Sequence, residues 1–234
     1  MPKTIIDHIK EIRTFLVRRT KPGESYWLAR RSVKPLSGKF GFDRGTPIDR
    51  FWIEKFLWEN KSLIKGMVLE VTDNNYTKMF GGNKVKRSDV LDINRKNKRA
   101  NIHGDLKNLR NVIKDNTYDC IILTHVLGMI DDVSVAVSEI HRILKQKGVV
   151  LVTSSSFSPT YDQKNNFWRF TTASMKYLFG KQFGIKNIKI TSFGNVLTGQ
   201  AFWVGMAQEE LTEKELSYND PNYQCIVTVK AVKK

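Results

Sequence analysis

The stretch GMVLEVTDNNYTKMFGG, residues 66–82, constrains the fold of this chain most strongly. Met67–Val71 is a short apolar run typical of a buried strand, Thr72–Asn75 is a polar turn, and Tyr76–Phe80 begins a helix. A strand that enters a helix through a polar turn presents free backbone N–H groups at the sheet edge, where α/β proteins bind nucleotide-like ligands. The stretch therefore predicts an α/β fold with a ligand site at this edge.

The residues that follow continue the alternation of strands and helices. Residues 84–91 predict a second strand that ends in the acidic Asp89, and Ala100–His103 predicts a short third strand. Tyr118–Thr124 is an almost continuous apolar run, as in a central parallel strand buried on both faces. Further helices are predicted from Asp131 or Asp132 to Leu144, from Thr171 or Thr172 to Phe179 and over 196–211, and further strands over 149–153, 185–192 and 224–232. This order predicts a mostly parallel seven-stranded sheet with helices on both faces and an antiparallel last strand.

Two helices are predicted before the sheet. Residues 4–20 place apolar side chains on one stripe and basic residues opposite. A second helix begins at Pro47, with Thr46 as its cap and Asp49 in its first turn. Arg44 precedes this helix, and its guanidinium group suits either a carboxylate or phosphate of a ligand or a local ion pair that holds the turn.

The composition is that of a globular protein with a basic surface. The formal net charge is +16, and 41% of the residues are hydrophobic. No apolar run approaches the roughly 20 residues needed to span a bilayer, and the N-terminus lacks a signal-peptide pattern. Cys120 and Cys225 lie in apolar strand-like runs, so we interpret them as buried thiols of a cytoplasmic protein. The charge suits an anionic acceptor as well as nucleic acid.

Several segments resemble class I S-adenosylmethionine-dependent methyltransferases, of the kind found beside or fused to glycosyltransferases of surface-polysaccharide assembly. They are FDRGTPIDRFWIEKFL, LEVTDNNYTKMFGG, SDVLDI, YDCIILTHVL, LGMIDDVSVAVSEIHRILKQKGVVLVT, WRFT and SFGNVL. They are also similar to the methyltransferase part of large chlorella-virus glycosyltransferase proteins. The likeness covers roughly residues 40–232. It implies a Rossmann-like class I methyltransferase fold over residues 41–234. The helix and connecting segment over residues 1–40 lie outside the likeness and are a candidate tether to another domain.

The resemblance implies S-adenosyl-L-methionine as the cofactor and S-adenosyl-L-homocysteine as the product. The first strand and its turn would face the methionine portion. Asp89 would accept hydrogen bonds from both ribose hydroxyls and Asp105 from the adenine amino group, with Leu106 packed on the ring. Thr124 and His125 would lie beside the activated methyl group. The implied cofactor-binding residues are Glu70, Thr72, Asp73, Asn75, Tyr76, Asp89, Asp105, Leu106 and Thr124.

The turn after the first strand departs from the family pattern. Thr72 stands where a glycine is expected, and Asp73-Asn74-Asn75 follows it. Asparagine tolerates left-handed backbone dihedrals better than most residues, so we expect the asparagines to let the turn form.

A general base and an acceptor site complete the prediction. A sugar hydroxyl is a weak nucleophile, so a base within hydrogen-bond reach is expected; His125 is the candidate, with a polar loop residue as the other interpretation. Asp131-Asp132 is interpreted as a helix cap rather than a metal site. The long loop over residues 154–170 supplies aromatic side chains that either stack on a sugar or fill the core. The predicted acceptor-binding residues are Arg44, Tyr161, Trp168 and Arg169.

Together these features predict an S-adenosylmethionine-dependent O-methyltransferase that acts on a sugar hydroxyl, such as a terminal, rhamnose-like deoxyhexose of a surface glycan. The expected partners are a carbohydrate acceptor and a fused or associated glycosyltransferase, with no nucleic acid and no membrane span. Two alternatives stay open at this point. The net charge of +16 suits an RNA methyltransferase, and Thr72 with the missing glycines suits a non-catalytic interaction domain that keeps the fold.

Overall fold

The computed structural model describes residues 32–234, so the helix predicted over residues 4–20 lies outside the described residues. The strands in this range are β1 (Gly66–Val71), β2 (Val85–Asp92), β3 (Ile102–His103), β4 (Tyr118–Thr124), β5 (Leu144–Ser155), β6 (Ile188–Phe193) and β7 (Ile226–Val232). The α-helices are α1 (Ile48–Glu59), α2 (Asn75–Gly81), α3 (Val133–Ile143), α4 (Thr172–Phe183), α5 (Val196–Val204) and α6 (Glu213–Ser217).

The strands form one seven-stranded sheet in the order β3-β2-β1-β4-β5-β7-β6. Neighbouring strands from β3 to β5 are parallel, whereas β7 runs antiparallel to both β5 and β6. The predicted seven-stranded, mostly parallel sheet with an antiparallel last strand is therefore confirmed. Because β1 and β4 are adjacent and parallel at the centre, their carboxyl ends meet at one edge of the sheet.

The sheet is covered on both faces, as the apolar pattern of β4 predicts. On one face, Ile53 and Leu57 of α1 pack with Val68, Cys120 and Leu151 of the central strands. The other face holds the larger core, in which α3 and α4 pack against β4, β5 and β7. Both cysteines are buried and free. None of the helices within residues 32–234 combines the length and apolarity required to cross a membrane.

Tertiary pairing moves several boundaries from their predicted places. β5 begins directly at Leu144, so Lys147-Gly148 lies inside the strand rather than ending a helix. The Lys147 N–H donates to the Lys233 carbonyl, and the Lys233 N–H donates to the Gly148 carbonyl, so pairing with the end of the chain extends β5. The helix predicted over 196–211 ends at Val204, because Gly205 adopts a left-handed conformation.

The helix caps are partly as predicted. Asp132 caps α3 by accepting from the Val135 N–H, and Thr171 caps α4 by accepting from the Ser174 N–H. Thr46 does not cap α1, because its Oγ1 donates to a carboxylate oxygen of Glu209 at 2.6 Å. A long-range contact thus replaces the local cap that the sequence suggested.

The segment before α1 packs on the end of α5. The N–H groups of Leu36 and Ser37 donate to the Val204 carbonyl at 2.9 and 3.1 Å. This attachment leads residues 40–47 across the carboxyl edge of the sheet towards α1.

Candidate functional site

A cavity of about 510 Å³ opens at the carboxyl edge of the sheet, where the first sequence stretch predicted a ligand site. Strand ends supply Thr72, His125, Ser154 and Ser155 to its lining. Residues 40–50 line a second side, and the loop between β5 and α4 lines a third. Because both the sheet edge and the long loop contribute, the cavity has polar groups on the sheet side and aromatic rings on the loop side.

His125 is held by hydrogen bonds to both nitrogens of its ring. It follows β4 directly, and its backbone N–H donates to the Thr153 carbonyl at 2.9 Å. Its Nε2 lies 2.8 Å from Oδ2 of Asp49, and its Nδ1 lies 3.3 Å from Oγ of Ser155. The sequence predicted His125 in this region but gave no indication of Asp49 as its partner.

Asp49 is a buried carboxylate that fixes the protonation of the imidazole. Burial by itself would raise the pKa of Asp49, but the hydrogen bond and charge of His125, together with Arg50, outweigh it and hold the pKa below its ordinary value. An ionised carboxylate only accepts hydrogen bonds, so Nε2 of His125 carries the proton. Nδ1, on the other side of the ring, faces the Ser155 hydroxyl.

Backbone strain is concentrated around this cavity. Five described residues other than glycine have positive φ, and three of them line the cavity: Phe40 at 57°, Thr72 at 72° and His125 at 58°. Such conformations cost free energy and persist where the surrounding structure enforces them, which is frequent at functional sites. Thr72 itself adopts the left-handed conformation, whereas Asn74 has φ −123°, so the turn forms without a left-handed asparagine.

Glu70 caps α2 rather than facing open space. Its side chain is buried, and its two oxygens accept from the N–H groups of Tyr76 and Thr77 and from the Thr77 hydroxyl. Burial raises the pKa of Glu70 despite these bonds. The Asn75 N–H donates to the Asp73 side chain. The predicted contact between Glu70 and the cofactor ammonium group is thus replaced by a structural one, and Asn75 and Tyr76 have their amides occupied.

The prediction that Asp89 binds the ribose is wrong. Asp89 lies inside β2 and is 1% exposed. Its carboxylate accepts from Asn101, from Arg87 and from the hydroxyl of Tyr118, at 2.7, 2.9 and 3.0 Å. The physical reason is that β2 continues to Asp92, three residues further than the acid taken as its end. Asp89 therefore links β2 to the residue before β3 and to the start of β4.

Asp92 occupies the position that had been assigned to Asp89. It is the last residue of β2, and the preceding Leu91 carbonyl accepts from the Thr72 N–H, so Asp92 lies beside the turn after β1. Its carboxylate accepts from the Asn94 N–H and from Asn97 Nδ2, whose amide also donates to the Thr72 carbonyl. The apolar pair Val90-Leu91 followed by an acid was the sequence signal for this position.

The loop after β3 fits the prediction in part. Asp105 is partly exposed directly after β3, and its carboxylate accepts from the Lys107 N–H at 2.9 Å. Leu106 is 6% exposed and belongs to the main core, so it does not offer a free surface to a ring. Thr124 ends β4 and is partly exposed, but the cavity lining begins at its neighbour His125.

Three of the four predicted acceptor residues line the cavity. Tyr161 is 79% exposed at its margin and packs against Phe40, with ring centroids 5.9 Å apart. Trp168 is half-exposed, and its indole N–H donates to the carbonyls of Ile130 and Asp131. Arg169 donates to the carbonyls of Ser158, Pro159 and Trp168, so it joins the two ends of the loop segment over residues 158–169.

Arg44 and Phe170 have structural roles instead. The guanidinium group of Arg44 binds both carboxylate oxygens of Glu210 and does not line the cavity, so its assignment to the acceptor is wrong; it forms an ion pair, but with a residue distant in the sequence. Phe170 is buried in the main core. Of the two aromatic residues, Phe170 therefore fills the core, whereas Trp168 lines the cavity.

In the described part of the chain, Asp131, Asp132 and His141 have structural contacts. Asp131 pairs with Lys107, at 2.6 Å between its Oδ1 and the lysine Nζ, next to the Asp132 cap. His141 makes an edge-on contact with the Phe183 ring. Within residues 32–234, no group of three or more His, Cys, Asp or Glu side chains is arranged to hold a metal ion.

Comparisons with known proteins agree with this architecture. Residues 78–152, which run from α2 into β5, match the family model described as a methyltransferase domain. A search of curated proteins finds no similar sequence.

Solved structures share the fold at low identity. A SAM-dependent methyltransferase from Archaeoglobus fulgidus is 15% identical, with a TM-score of 0.54 over 79% of this chain and 94% of that one. A putative sarcosine dimethylglycine methyltransferase from Galdieria sulphuraria is 12% identical, with a TM-score of 0.52 over 80% and 84%. The [4+2]-cyclase SpnF is 13% identical, with a TM-score of 0.53 over 86% and 87%.

The protein therefore has the Rossmann-like class I methyltransferase fold. Residues 78–152 are thus similar to a methyltransferase domain, and the fold is shared with a solved SAM-dependent methyltransferase. Because the same fold also occurs in a cyclase, the reaction and the acceptor must be argued from the side chains of the site.

Replacing Thr72 with glycine tests the strain in the turn. Thr72→Gly should raise the free energy of unfolding by roughly 0.5 to 1 kcal/mol, because the relief of a left-handed β-branched residue exceeds the entropy that glycine adds to the unfolded chain. Thr160→Gly is the control, since Thr160 lies in a loop without positive φ and should lose roughly 0.5 kcal/mol. Urea unfolding measures the free energy of unfolding of both variants. An equal loss in the two would contradict the inference that Thr72 is strained.

Proposed function

We propose that this protein is an S-adenosylmethionine-dependent O-methyltransferase whose acceptor is a sugar hydroxyl, such as that of a terminal deoxyhexose in a surface glycan. The observation that carries the proposal is the Asp49–His125 pair in the wall of the cavity, where Nε2 of His125 lies 2.8 Å from Oδ2 of Asp49. A general base is needed for transfer to a hydroxyl, whose pKa is far above neutrality.

The residues at the sheet edge fit the cofactor. Asp92 ends β2 with its two oxygens accepting from the Asn94 N–H and from Asn97 Nδ2, and the left-handed Thr72 brings the backbone of the turn close to that edge. The N–H groups of Asp73 and Asn74 donate to no acceptor within residues 32–234, so they are available to a carboxylate. We therefore expect Asp92 to hold the ribose hydroxyls, residues 72–74 the methionine end, and Asp105 the adenine amino group. When bound, the cofactor supplies an electrophilic methyl group on a sulfonium.

The chain's own residues perform the proton transfer. The ionised Asp49 keeps the Nε2 proton of His125 in place and favours the imidazolium that forms when Nδ1 accepts a second proton. The contact between Nδ1 and Ser155 Oγ is long, at 3.3 Å, so an acceptor hydroxyl can replace Ser155 there or pass its proton through it. The acceptor oxygen gains nucleophilic character as its proton moves to Nδ1. The cavity walls orient the acceptor and exclude water.

Unpartnered polar atoms favour a polyhydroxy acceptor. Oδ1 of Asp49, Oγ of Ser154 and Oδ1 of Asn166 are buried and have no hydrogen-bond partner among the described residues, and all three residues line the cavity. Buried polar groups without partners are rare, so these atoms are suited to hydroxyl groups of a ligand. Phe40 and Trp168 add the aromatic surface on which the apolar face of a sugar ring stacks.

The same cavity gives less support to the two alternatives. The Asp49 carboxylate would repel the phosphates of an RNA acceptor, although the formal net charge of +16 favours nucleic acid at long range. A non-catalytic domain gives no reason for an ionised aspartate that orients a histidine in a cavity. A fused or associated glycosyltransferase remains our expectation for the partner that produces the acceptor glycan.

Incubation with labelled cofactor tests the reaction. Mass spectrometry of a glycan panel should detect a gain of one or more methyl groups on sugars with a free hydroxyl, and RNA incubated in parallel should gain none. Label in RNA alone would establish the alternative acceptor. No transfer, with no binding of S-adenosylmethionine by calorimetry, would contradict the proposal.

Two aspartates of β2 should behave differently. Asp92→Asn should weaken S-adenosylhomocysteine binding by about 10- to 100-fold, the loss expected for hydrogen bonds to a charged group. Asp89→Asn should lower the free energy of unfolding by about 1 to 3 kcal/mol, because it leaves buried donors unpaired. Calorimetry and urea unfolding separate the two effects. Loss of binding in Asp89→Asn with an unchanged Asp92→Asn would restore the original assignment.

Variants of the Asp49–His125 pair test the base. His125→Ala should lower kcat by about 100-fold or more while the Kd for S-adenosylhomocysteine changes by less than about threefold. Asp49→Asn should lower kcat in the same way, because an amide no longer requires the proton on Nε2. Glu54→Gln, also on α1 but without contact to His125, is the control. Normal turnover in His125→Ala would contradict its assignment as the general base.

A further inference from the structure

A second cavity, of about 360 Å³, adjoins the first. We call it the outer cavity. Four residues line both cavities and form their common wall: Ser158, Asn166, Trp168 and Arg169. The proposed function assigns no role to the outer cavity, although it lies directly beside the first cavity.

Aromatic rings dominate the lining of the outer cavity. Phe157, Phe167, Trp168 and Trp203 all line it, and each is between 43% and 49% exposed. Phe157 and Trp203 stack on one another, with ring centroids 4.6 Å apart and an angle of 24° between the rings. Their stacking fixes a broad apolar surface built from two separate parts of the chain, the loop after β5 and helix α5. Clustered exposed rings of this kind mark binding surfaces.

The outer cavity has neutral polar groups, of which only some have protein partners: the Ser156 hydroxyl donates to the Phe170 carbonyl, and Asn166 Nδ2 donates to the Met129 sulfur. The indole N–H of Trp203 and the hydroxyls of Ser158 and Thr160 form no hydrogen bond within residues 32–234. The indole of Trp168, in contrast, is held by the carbonyls of Ile130 and Asp131. The one charged group in this lining, Arg169, donates to three carbonyls of its own loop.

This combination is suited to a sugar ring. The C–H face of a pyranose is apolar and packs on aromatic rings, while its hydroxyls at the rim need neutral donors and acceptors. No carboxylate or lysine lines the outer cavity to select a charged ligand. Because the two cavities share a wall, an acceptor longer than one ring can place its neighbouring unit in the outer cavity.

We propose that the outer cavity binds the sugar residue linked to the one that is methylated, so that the acceptor is a disaccharide or longer glycan rather than a free monosaccharide. The proposal rests on the proposed function for the first cavity. Trp203 and Phe157 form the platform for this second sugar, and the Trp168–Arg169 wall separates the two residues of the glycan.

Matched acceptors test the outer cavity. The kcat/KM values of a monosaccharide methyl glycoside and of a disaccharide with the same terminal sugar are compared. The disaccharide should be preferred by about 10-fold, the contribution of one stacked ring. Trp203→Ala and Phe157→Ala should each reduce this preference towards one. Trp58→Ala is the control, because this half-exposed tryptophan on α1 lines neither cavity, and it should keep the preference.

The outcomes separate this inference from the proposed function. If the unaltered protein methylates both acceptors with no preference, or if Trp203→Ala lowers kcat/KM equally for both, the outer cavity does not bind a second sugar. The proposed methyl transfer would still stand in either case. If no glycan is methylated, calorimetry with the same two sugars tests the outer cavity separately. Disaccharide binding that weakens in Trp203→Ala supports a sugar site there, and absence of binding contradicts it. Binding of an RNA oligonucleotide that depends on Trp203 also overturns it.

Discussion

The hydrogen bond between Asp49 and His125 connects the first described helix to the end of the central strand β4. On one side, α1 packs its apolar residues on β1, β4 and β5, which sets the position of Asp49 above the sheet edge. On the other side, the bond from the His125 N–H to the Thr153 carbonyl holds the histidine between two parallel strands. The arrangement of the cavity depends on this link, because it joins the two elements whose relative position defines the cavity.

Strain and unpaired polar atoms lie around the same link. Phe40, Thr72 and His125 adopt backbone conformations that are unfavourable for residues other than glycine, and the oxygen of Asp49 that does not bind His125 has no partner in the described structure. Each feature costs stability, and none of them contributes to the packing of the core. Their convergence on one cavity is the physical basis for interpreting it as a functional site.

The sequence and the structure agree most closely where a residue's neighbours are local. The apolar run Tyr118–Thr124 predicted β4 with its observed bounds, and the caps Asp132 and Thr171 were visible from the polar residue before a helical pattern. The prediction failed at Asp89, because the end of β2 depends on its pairing with β1 and β3, which carries the strand to Asp92. It failed at Arg44 for a similar reason, since Glu210 lies 166 positions further along the chain.

By itself, the sequence determined the order of strands and helices, the buried character of the central strands, the carboxyl edge of the sheet as the place of the site, and His125 as its candidate base. Periodicity and local capping carry this information, because they concern residues a few positions apart. Only the tertiary structure decided that Asp49 orients His125, that Thr72 takes the left-handed conformation, and that Phe157 and Trp203 build one aromatic surface. These contacts join segments that are distant in the chain, and their geometry exists only once the helices have packed on the sheet.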